Sequence, residues 1–558
     1  MISQILKKNI APTRARISIS QRNIHLSIVL SNKYDIKPQP STTSSLLNTQ
    51  KSQPGQIIND DSVDSNLSQV LAKVIKTTGP IPLATYMRQC LTHPTLGYYT
   101  TRNPLDSKSG DFITSPEISS TFGEMLGLWY FTIFIQQLKK IAISKTKQEN
   151  LIKNNQLKES EIDLDLQKFN IKDKTLRFIE FGPGKGTLMY DVIKTINKFV
   201  QSKNPIEINL IEASPVLRNE QKNLLCGKDM TLFNRDGNLQ DSTTIWGNTI
   251  KWYNTELDIL NEIKSNKENQ NENNYINFII AHEFFDALPI NQFEKTDKGW
   301  REFLVDIKKE SNTDILLPNV SHYNNKNIVG NNQKNEANEK FPKFNMVLAP
   351  YATPSSSIPK IIPRFNSVSN GSRIEICPES YNYAIKISEL LTNFTENDSK
   401  IKMGSALIVD YGTSESIPIN TLRGIKNHKI VNPFEDAGEV DLSADVDFGN
   451  LKDIFKDNNC ESYIVDQGDF LNGMGLGYRT DQLVESLKEN EQEKKKIIDA
   501  YNRLTGKGIR DMGKIYKVMG VVPNDSIESA VGFVEPPKPV RKEEEPSKPV
   551  SIKIDDSK

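Results

Sequence analysis

Apolar and polar residues follow two different periods along this chain, and the switches between them outline the elements. "LRFIEFG" (176–182) is a near-continuous apolar run and predicts a buried strand, whereas "TLMYDVIKTINKFV" (187–200) repeats its apolar positions at helical spacing. The same two patterns recur in "IEINLIEAS" (206–214) and in the helix "PVLRNEQKNLL" after it. "TIKWYN" (249–254) is a weaker strand, "NFIIAHEFF" a buried one and "SALIVDYG" (405–412) another. Strands that alternate with helices and are apolar on both faces predict an α/β fold with a mostly parallel, Rossmann-like sheet covered on both sides. Upstream, "LSQVLAKVIKTTGPIPLATYMRQCLT" from Leu67 is helical in pattern. An apolar helix begins near Ser119, with Pro116–Glu117 where a helix would start.

Stretches without such patterning divide the chain. Residues 142–173 are rich in Lys and Asn, residues 307–342 in Asn, Lys and Glu, and the tail 524–558 in Pro, Lys and Glu. None buries enough apolar surface to offset its ordering entropy. The predicted organisation is a helical cap over 67–141 and a first core segment over 174–306. A low-complexity insertion (307–342), a second core segment with an inserted substrate lobe (343–523) and a disordered tail follow. Residues 35–66, rich in Ser, Gln, Asn and Pro, read as linker. The first 34 residues carry Lys7, Lys8, Arg14, Arg16, Arg22 and Lys33 with no acid before Asp35, the composition of a mitochondrial transit peptide. No run approaches the roughly 20 apolar residues of a membrane span, so the mature chain is expected to be soluble, without an integral membrane segment.

Composition changes this picture little. Lys plus Arg equals Asp plus Glu at 70 each, so no global field favours nucleic acid, and no nucleic-acid partner is expected. A hydrophobic fraction of 37% is low for 558 residues and fits polar segments diluting an ordinary core. Cys90, Cys226, Cys377 and Cys460 are scattered, without a CxxC pair, and read as reduced thiols.

Candidate chemistry begins at "FIEFGPGKGTL". Glu180, Gly182, Gly184 and Gly186 lie between a strand and a helix in the spacing E-x-G-x-G-x-G, with Thr187 where a dinucleotide fingerprint needs glycine. Such a turn lets a nucleoside without a pyrophosphate lie against the backbone. S-adenosyl-L-methionine is that ligand in class I methyltransferases, where the acid before the first glycine accepts charge from its amino-acid end. Glu212, after the second strand, is placed to accept the ribose hydroxyls.

The other candidate is "FIIAHEFFDALP" (278–289), at the carboxyl end of the strand expected fourth, beside the glycine loop's strand. Ligands of doubly wound sheets bind beyond these strand ends, so Glu283 and Asp286 are expected near the transferred methyl. Two acids suit a cationic acceptor, and an arginine guanidinium matches paired carboxylates in shape and charge. Phe284 and Phe285 are candidates to wall the channel or stack on that cation. The structural alternative is that Glu283 caps a helix starting near Asp286 and both phenylalanines are core. His282 is a candidate base or a structural histidine. "DLSADVDF" (441–448) holds Asp441, Asp445 and Asp447 without EF-hand spacing, so no metal is expected and the segment reads as substrate lobe.

Taken in order, "GDFITSPEISSTFGEMLG", "FIEFGPGKGTL", "AHEFFDALPI", "VDYG", "TLRGIKNHK", "DLSADVDF", "QGDFL" and "MGKIYKVMG" resemble the MidA family, across roughly residues 67–521. These are mitochondrial protein arginine methyltransferases that assist assembly of respiratory complex I. The resemblance implies symmetric dimethylation of an arginine on an iron–sulfur-protein subunit of NADH dehydrogenase, in the mitochondrial matrix, using S-adenosyl-L-methionine. It also implies that the segment Gly110–Glu117 closes over the cofactor, with Asp111, Ser115 and Glu117 as contacts. An assembly chaperone that binds the cofactor without essential turnover is the alternative.

Overall fold

The computed structural model of the chain describes residues 66–101, 113–152, 174–200, 205–234, 239–268, 275–309, 342–392, 402–488, 490–508 and 511–533. Asp111, the expected transit peptide, nearly all of the expected linker and insertion, and residues 534–558 lie outside these residues; the first part of the expected tail, 524–533, is described and packs on the core through Ile527, Val531 and Phe533.

Among the described residues the main sheet has ten strands, and seven of them form its body: β1 (Thr175–Phe181), β2 (Ile206–Ile211), β3 (Thr249–Tyr253), β4 (Tyr275–His282), β5 (Gly404–Thr413), β6 (Cys460–Asp466) and β7 (Tyr516–Pro523). Their spatial order is β3-β2-β1-β4-β5-β7-β6. Pairing is parallel from β3 through β5, and β7 runs antiparallel to both of its neighbours. The central strands are buried on both faces, which is why they read as continuous apolar runs. Strand order reverses between β1 and β4, so the crevice beyond their carboxyl ends is the place where such a sheet binds ligands.

Helices cover both faces. On one, α3 (Ser120–Ile152) and α4 (Thr187–Phe199) bury Phe122, Leu126, Tyr130, Leu188, Val192 and Ile196 against Phe178 and Phe278. On the other, α7 (Pro378–Thr392) and α8 (Phe448–Asp457) bury Ile387, Leu391, Leu451 and Phe455 against Ile179, Ile279 and Ile408. Between them in the chain come α5 (Pro215–Leu225), which follows β2, and α6 (Glu256–Glu268), which follows β3. The N-terminal helices α1 (Leu67–Thr78) and α2 (Leu83–Thr92) pack with the accessory lobe, not with the main sheet.

That lobe starts earlier in the chain than its sequence suggests. The first core segment, read as continuing to residue 306, leaves the main sheet after His282. Asn291–Thr296 and Gly299–Ile307 instead join Ile81–Pro82, Phe344–Leu348 and Arg373–Ile376 in an antiparallel sheet. Phe344 pairs with Ile307, so the strands on either side of the Asn-rich insertion lie antiparallel within the lobe. A second piece follows β5, where Arg423–Lys426 and Lys429–Val431 form a hairpin turning at Asn427 and His428, both left-handed, and Arg423–Lys426 also pairs with Asp441–Ser443. The apolar helix read as ending at 141 continues to Ile152, because the Lys-, Gln- and Glu-containing stretch after it still favours helix.

Candidate active site

The glycine loop leaves β1 with three left-handed glycines, Gly182 (φ 63°), Gly184 (φ 52°) and Gly186 (φ 84°). At Gly182 a Cβ would also press to 3.3 Å from the Phe284 ring, so this position keeps the crevice open beside the turn. Glu180 stands just before the loop, 2% exposed, and its Oε2 has no hydrogen-bond partner. Burial pushes its carboxyl up to about 8. A buried acid without a partner at the mouth of a glycine cradle suits a cationic ligand, and S-adenosyl-L-methionine brings an ammonium and a sulfonium.

Two side chains fasten the loop. Gln221 of α5 donates Nε2 to the Gly184 carbonyl at 2.6 Å and to Glu212 Oε2 at 3.4 Å, while its Oε1 accepts the Trp252 indole N–H. Glu212 is half-buried, accepts the Ser214 N–H at 2.7 Å and is pushed up to about 6 by burial. Glu117 accepts the Thr187 hydroxyl at 2.6 Å and lies 3.5 Å from Lys185 Nζ, which ties the short helix Ser115–Ile118 to the loop. Ser115 is buried, and its hydroxyl reaches Gln467 Oε1 at 3.4 Å. Gln221 escaped the sequence reading because one polar residue on an otherwise ordinary helix carries no signal.

Beside this loop, β4 ends in a turn and not in a helix: Leu288 N–H bonds the Phe285 carbonyl, and Glu283 is left-handed at φ 49°. That conformation is uncommon outside glycine and asparagine, and such strain concentrates at functional positions. The Glu283 N–H continues the sheet ladder to the Val409 carbonyl, and its side-chain Oε1 has no partner. Burial, then the nearby Asp286, pushes its carboxyl up to about 8; Tyr516 and the Ser115 N–H, which face it, partly offset this. Asp286 is also buried and raised, with its Oδ2 taking Tyr411 and Ser443 hydroxyls and its Oδ1 unpartnered. Arg423, whose guanidinium lies 4.4 Å over the Tyr411 ring, moderates the rise at Asp286.

Both candidate acids therefore meet at the ends of β4 and β5 next to the glycine loop. The phenylalanines divide. Phe285 is 4% exposed within the core under α7, so it does not wall a channel, whereas Phe284 is half-buried against Phe181, Tyr383 and the Gly182 position. His282 packs edge-on against Phe122, and burial lowers it to about 3, which keeps the ring neutral. The three aspartates of 441–448 have separate partners: Asp441 accepts the Tyr99 hydroxyl, Asp445 pairs with Arg423, and Asp447 pairs with Arg364 and caps α8. Asp410, Tyr411, Ser443 and Tyr516 join the site through contacts; they lie in "VDYG", "DLSADVDF" and "MGKIYKVMG", but nothing in those motifs gave them a role.

A switch-point crevice, a phosphate-free glycine turn and an acid after β2 define a class I S-adenosyl-L-methionine-dependent methyltransferase. The model of a family of S-adenosyl-L-methionine-dependent methyltransferases matches residues 165–465. Among curated proteins, the chain is 31% identical to the mitochondrial protein arginine methyltransferase NDUFAF7 of Danio rerio, over 79% of this chain and 84% of that one. It is 29% identical to the Homo sapiens protein of the same name, over 81% and 82%. A Burkholderia thailandensis COG1565 superfamily member solved with S-adenosyl-homocysteine shares the fold at a TM-score of 0.53 and 18% identity, covering 84% of this chain and 93% of its own. The chain belongs to the MidA/NDUFAF7 methyltransferase family.

Proposed function

We propose that this chain is a mitochondrial matrix enzyme that symmetrically dimethylates an arginine on an iron–sulfur-protein subunit of NADH dehydrogenase, in support of complex I assembly. Its relatives are named mitochondrial protein arginine methyltransferases, which supports the compartment and the arginine. One observation carries the choice of acceptor: on one turn beside the cofactor loop, half-buried Glu283 and buried Asp286 each keep an enclosed carboxylate oxygen without a hydrogen-bond partner. A guanidinium brings several N–H donors and a permanent charge to such a pair.

Glu180, the three glycines, Glu212 and Glu117 are the residues that would hold S-adenosyl-L-methionine, with Asp111 and Ser115 further candidates from the same strap. Bound there, it supplies an electrophilic methyl on sulfur. Glu283 and Asp286 orient the guanidinium and draw its charge toward the nitrogens they contact, which leaves the remaining nitrogen a better nucleophile. The acceptor loses one proton as it is methylated, and Glu283, with a carboxyl near 8, is matched to take it at Oε1. His282, 3.8 Å away through Nε2, is too weak a base to compete while its ring stays buried. Phe284 is placed to border the acceptor.

Intact-mass measurement of complex I subunits from cells with the wild-type chain, without it, and with Glu283→Gln tests this reading. An iron–sulfur-protein subunit should lack two methyl increments in the last two cases. Identical masses in all three would remove the arginine assignment.

A further inference from the structure

Asp410 is fully buried at the end of β5. Its carboxylate is occupied by three backbone N–H groups, with Oδ2 accepting from Phe285 at 3.0 Å and Asp286 at 3.2 Å, and Oδ1 from Tyr411 at 2.9 Å. The two bonds on Oδ2 go to the second and third residues after Glu283, the residue whose backbone is left-handed. One residue earlier in β5, the Val409 carbonyl takes the Glu283 N–H. The tight bend after β4 is thus gripped on both sides by consecutive residues of β5. Strain of this kind persists only where surrounding structure over-determines it.

We infer that Asp410 is a positioning residue for methyl transfer, holding the 283–286 turn so that both acceptor acids face the crevice; this rests on the arginine reading above. An asparagine keeps the shape but turns one side into an N–H₂ donor, which opposes an N–H wherever it is placed. A neutral hydrogen-bonded filler would tolerate that change through small shifts, whereas a positioning group would not. The bonds described run to the acceptor turn and to β5 itself, and none to Gly182–Thr187. Asp410 therefore bears directly on acceptor geometry and makes none of these bonds to the cofactor loop.

The test is Asp410→Asn, assayed with S-adenosyl-L-methionine on NADH dehydrogenase purified from cells lacking this chain, with methylarginine read by mass spectrometry. S-adenosyl-homocysteine affinity is measured by calorimetry alongside. Turnover should fall on the order of 10²-fold, the scale of a misplacement near 1 Å, while cofactor KM and S-adenosyl-homocysteine affinity stay within about twofold. Turnover within threefold of wild type, or affinity falling in step with turnover, would overturn the role. A wild-type enzyme that forms no methylarginine would instead overturn the arginine reading. Amide hydrogen exchange on the wild-type protein decides the positioning even if the variant does not fold. The Phe285 and Asp286 amides should exchange as slowly as those of β4, and exchange at the unprotected rate overturns the inference.

Discussion

Glu283 joins a left-handed backbone to a buried carboxyl near pH 8, and the two features together make its protonation an event in acceptor binding. Below about pH 8 the free site holds a proton on Glu283, which a guanidinium must displace. kcat/KM for the protein acceptor should therefore rise from pH 6 toward 8 and flatten above it. Glu283→Gln should lose roughly 10²-fold in kcat/KM and with it this rise. A wild-type profile flat across that range would show that the carboxyl ionises without the acceptor. The sequence revealed the pairing of Glu283 with Asp286, because two acids after an apolar strand are unusual. It gave no sign of which way the Phe285 ring turns, since a core phenylalanine and a channel phenylalanine look the same in one chain.

At the scale of elements, period alone was enough for β1, α4, β2 and α5, whose apolar positions are set by burial on one helical face or on both faces of a strand. The accessory strands were harder. Asn291–Thr296 and Gly299–Ile307 are polar on one face, so they resemble edge or surface segments, and only their pairing moves them out of the core. The hairpin they belong to makes a definite prediction. Lys308 N–H bonds the Lys343 carbonyl, so the strands already face each other where the insertion begins and ends. Replacing residues 309–342 with Asn-Gly, a turn suited to two-residue hairpins, should leave cofactor binding intact. Each doubling of loop length costs about 0.6 kcal/mol, and going from 34 residues to two removes about four doublings, so urea unfolding should show equal or greater stability, by up to about 2–3 kcal/mol. A lower midpoint would mean that the insertion itself contributes contacts.

For the whole molecule, the site sets a conflict between stability and ligand binding. Glu180 has a folded carboxyl near 8 against an ordinary value of 4.5, so the folded state holds its proton more tightly than the unfolded chain. Its contribution to stability is complete below the unfolded value and is lost as pH rises through 8. Glu283 acts with the same sign. Cofactor-free wild-type protein should thus lose thermal stability between pH 6 and 8, and Glu180→Gln should lose less. S-adenosyl-homocysteine at 100 times its Kd should restore about 2.7 kcal/mol to the wild type and far less to Glu180→Gln, read as Tm shifts at pH 8. A variant stabilised as strongly as the wild type would remove Glu180 from the cofactor site.

By itself, the sequence determined the alternation from β1 through α5, the buried runs of β4 and β5, the glycine turn and the presence of two acids after β4. These depend on local periodicity and on backbone conformations that glycine permits. Only the tertiary structure decided that β5 lies beside β4, so that Asp410 grips the acid turn and Tyr411 and Ser443 reach Asp286. More than 120 residues separate Asp410 from that turn in the chain, and hydrogen bonds across such a distance leave no local pattern to read.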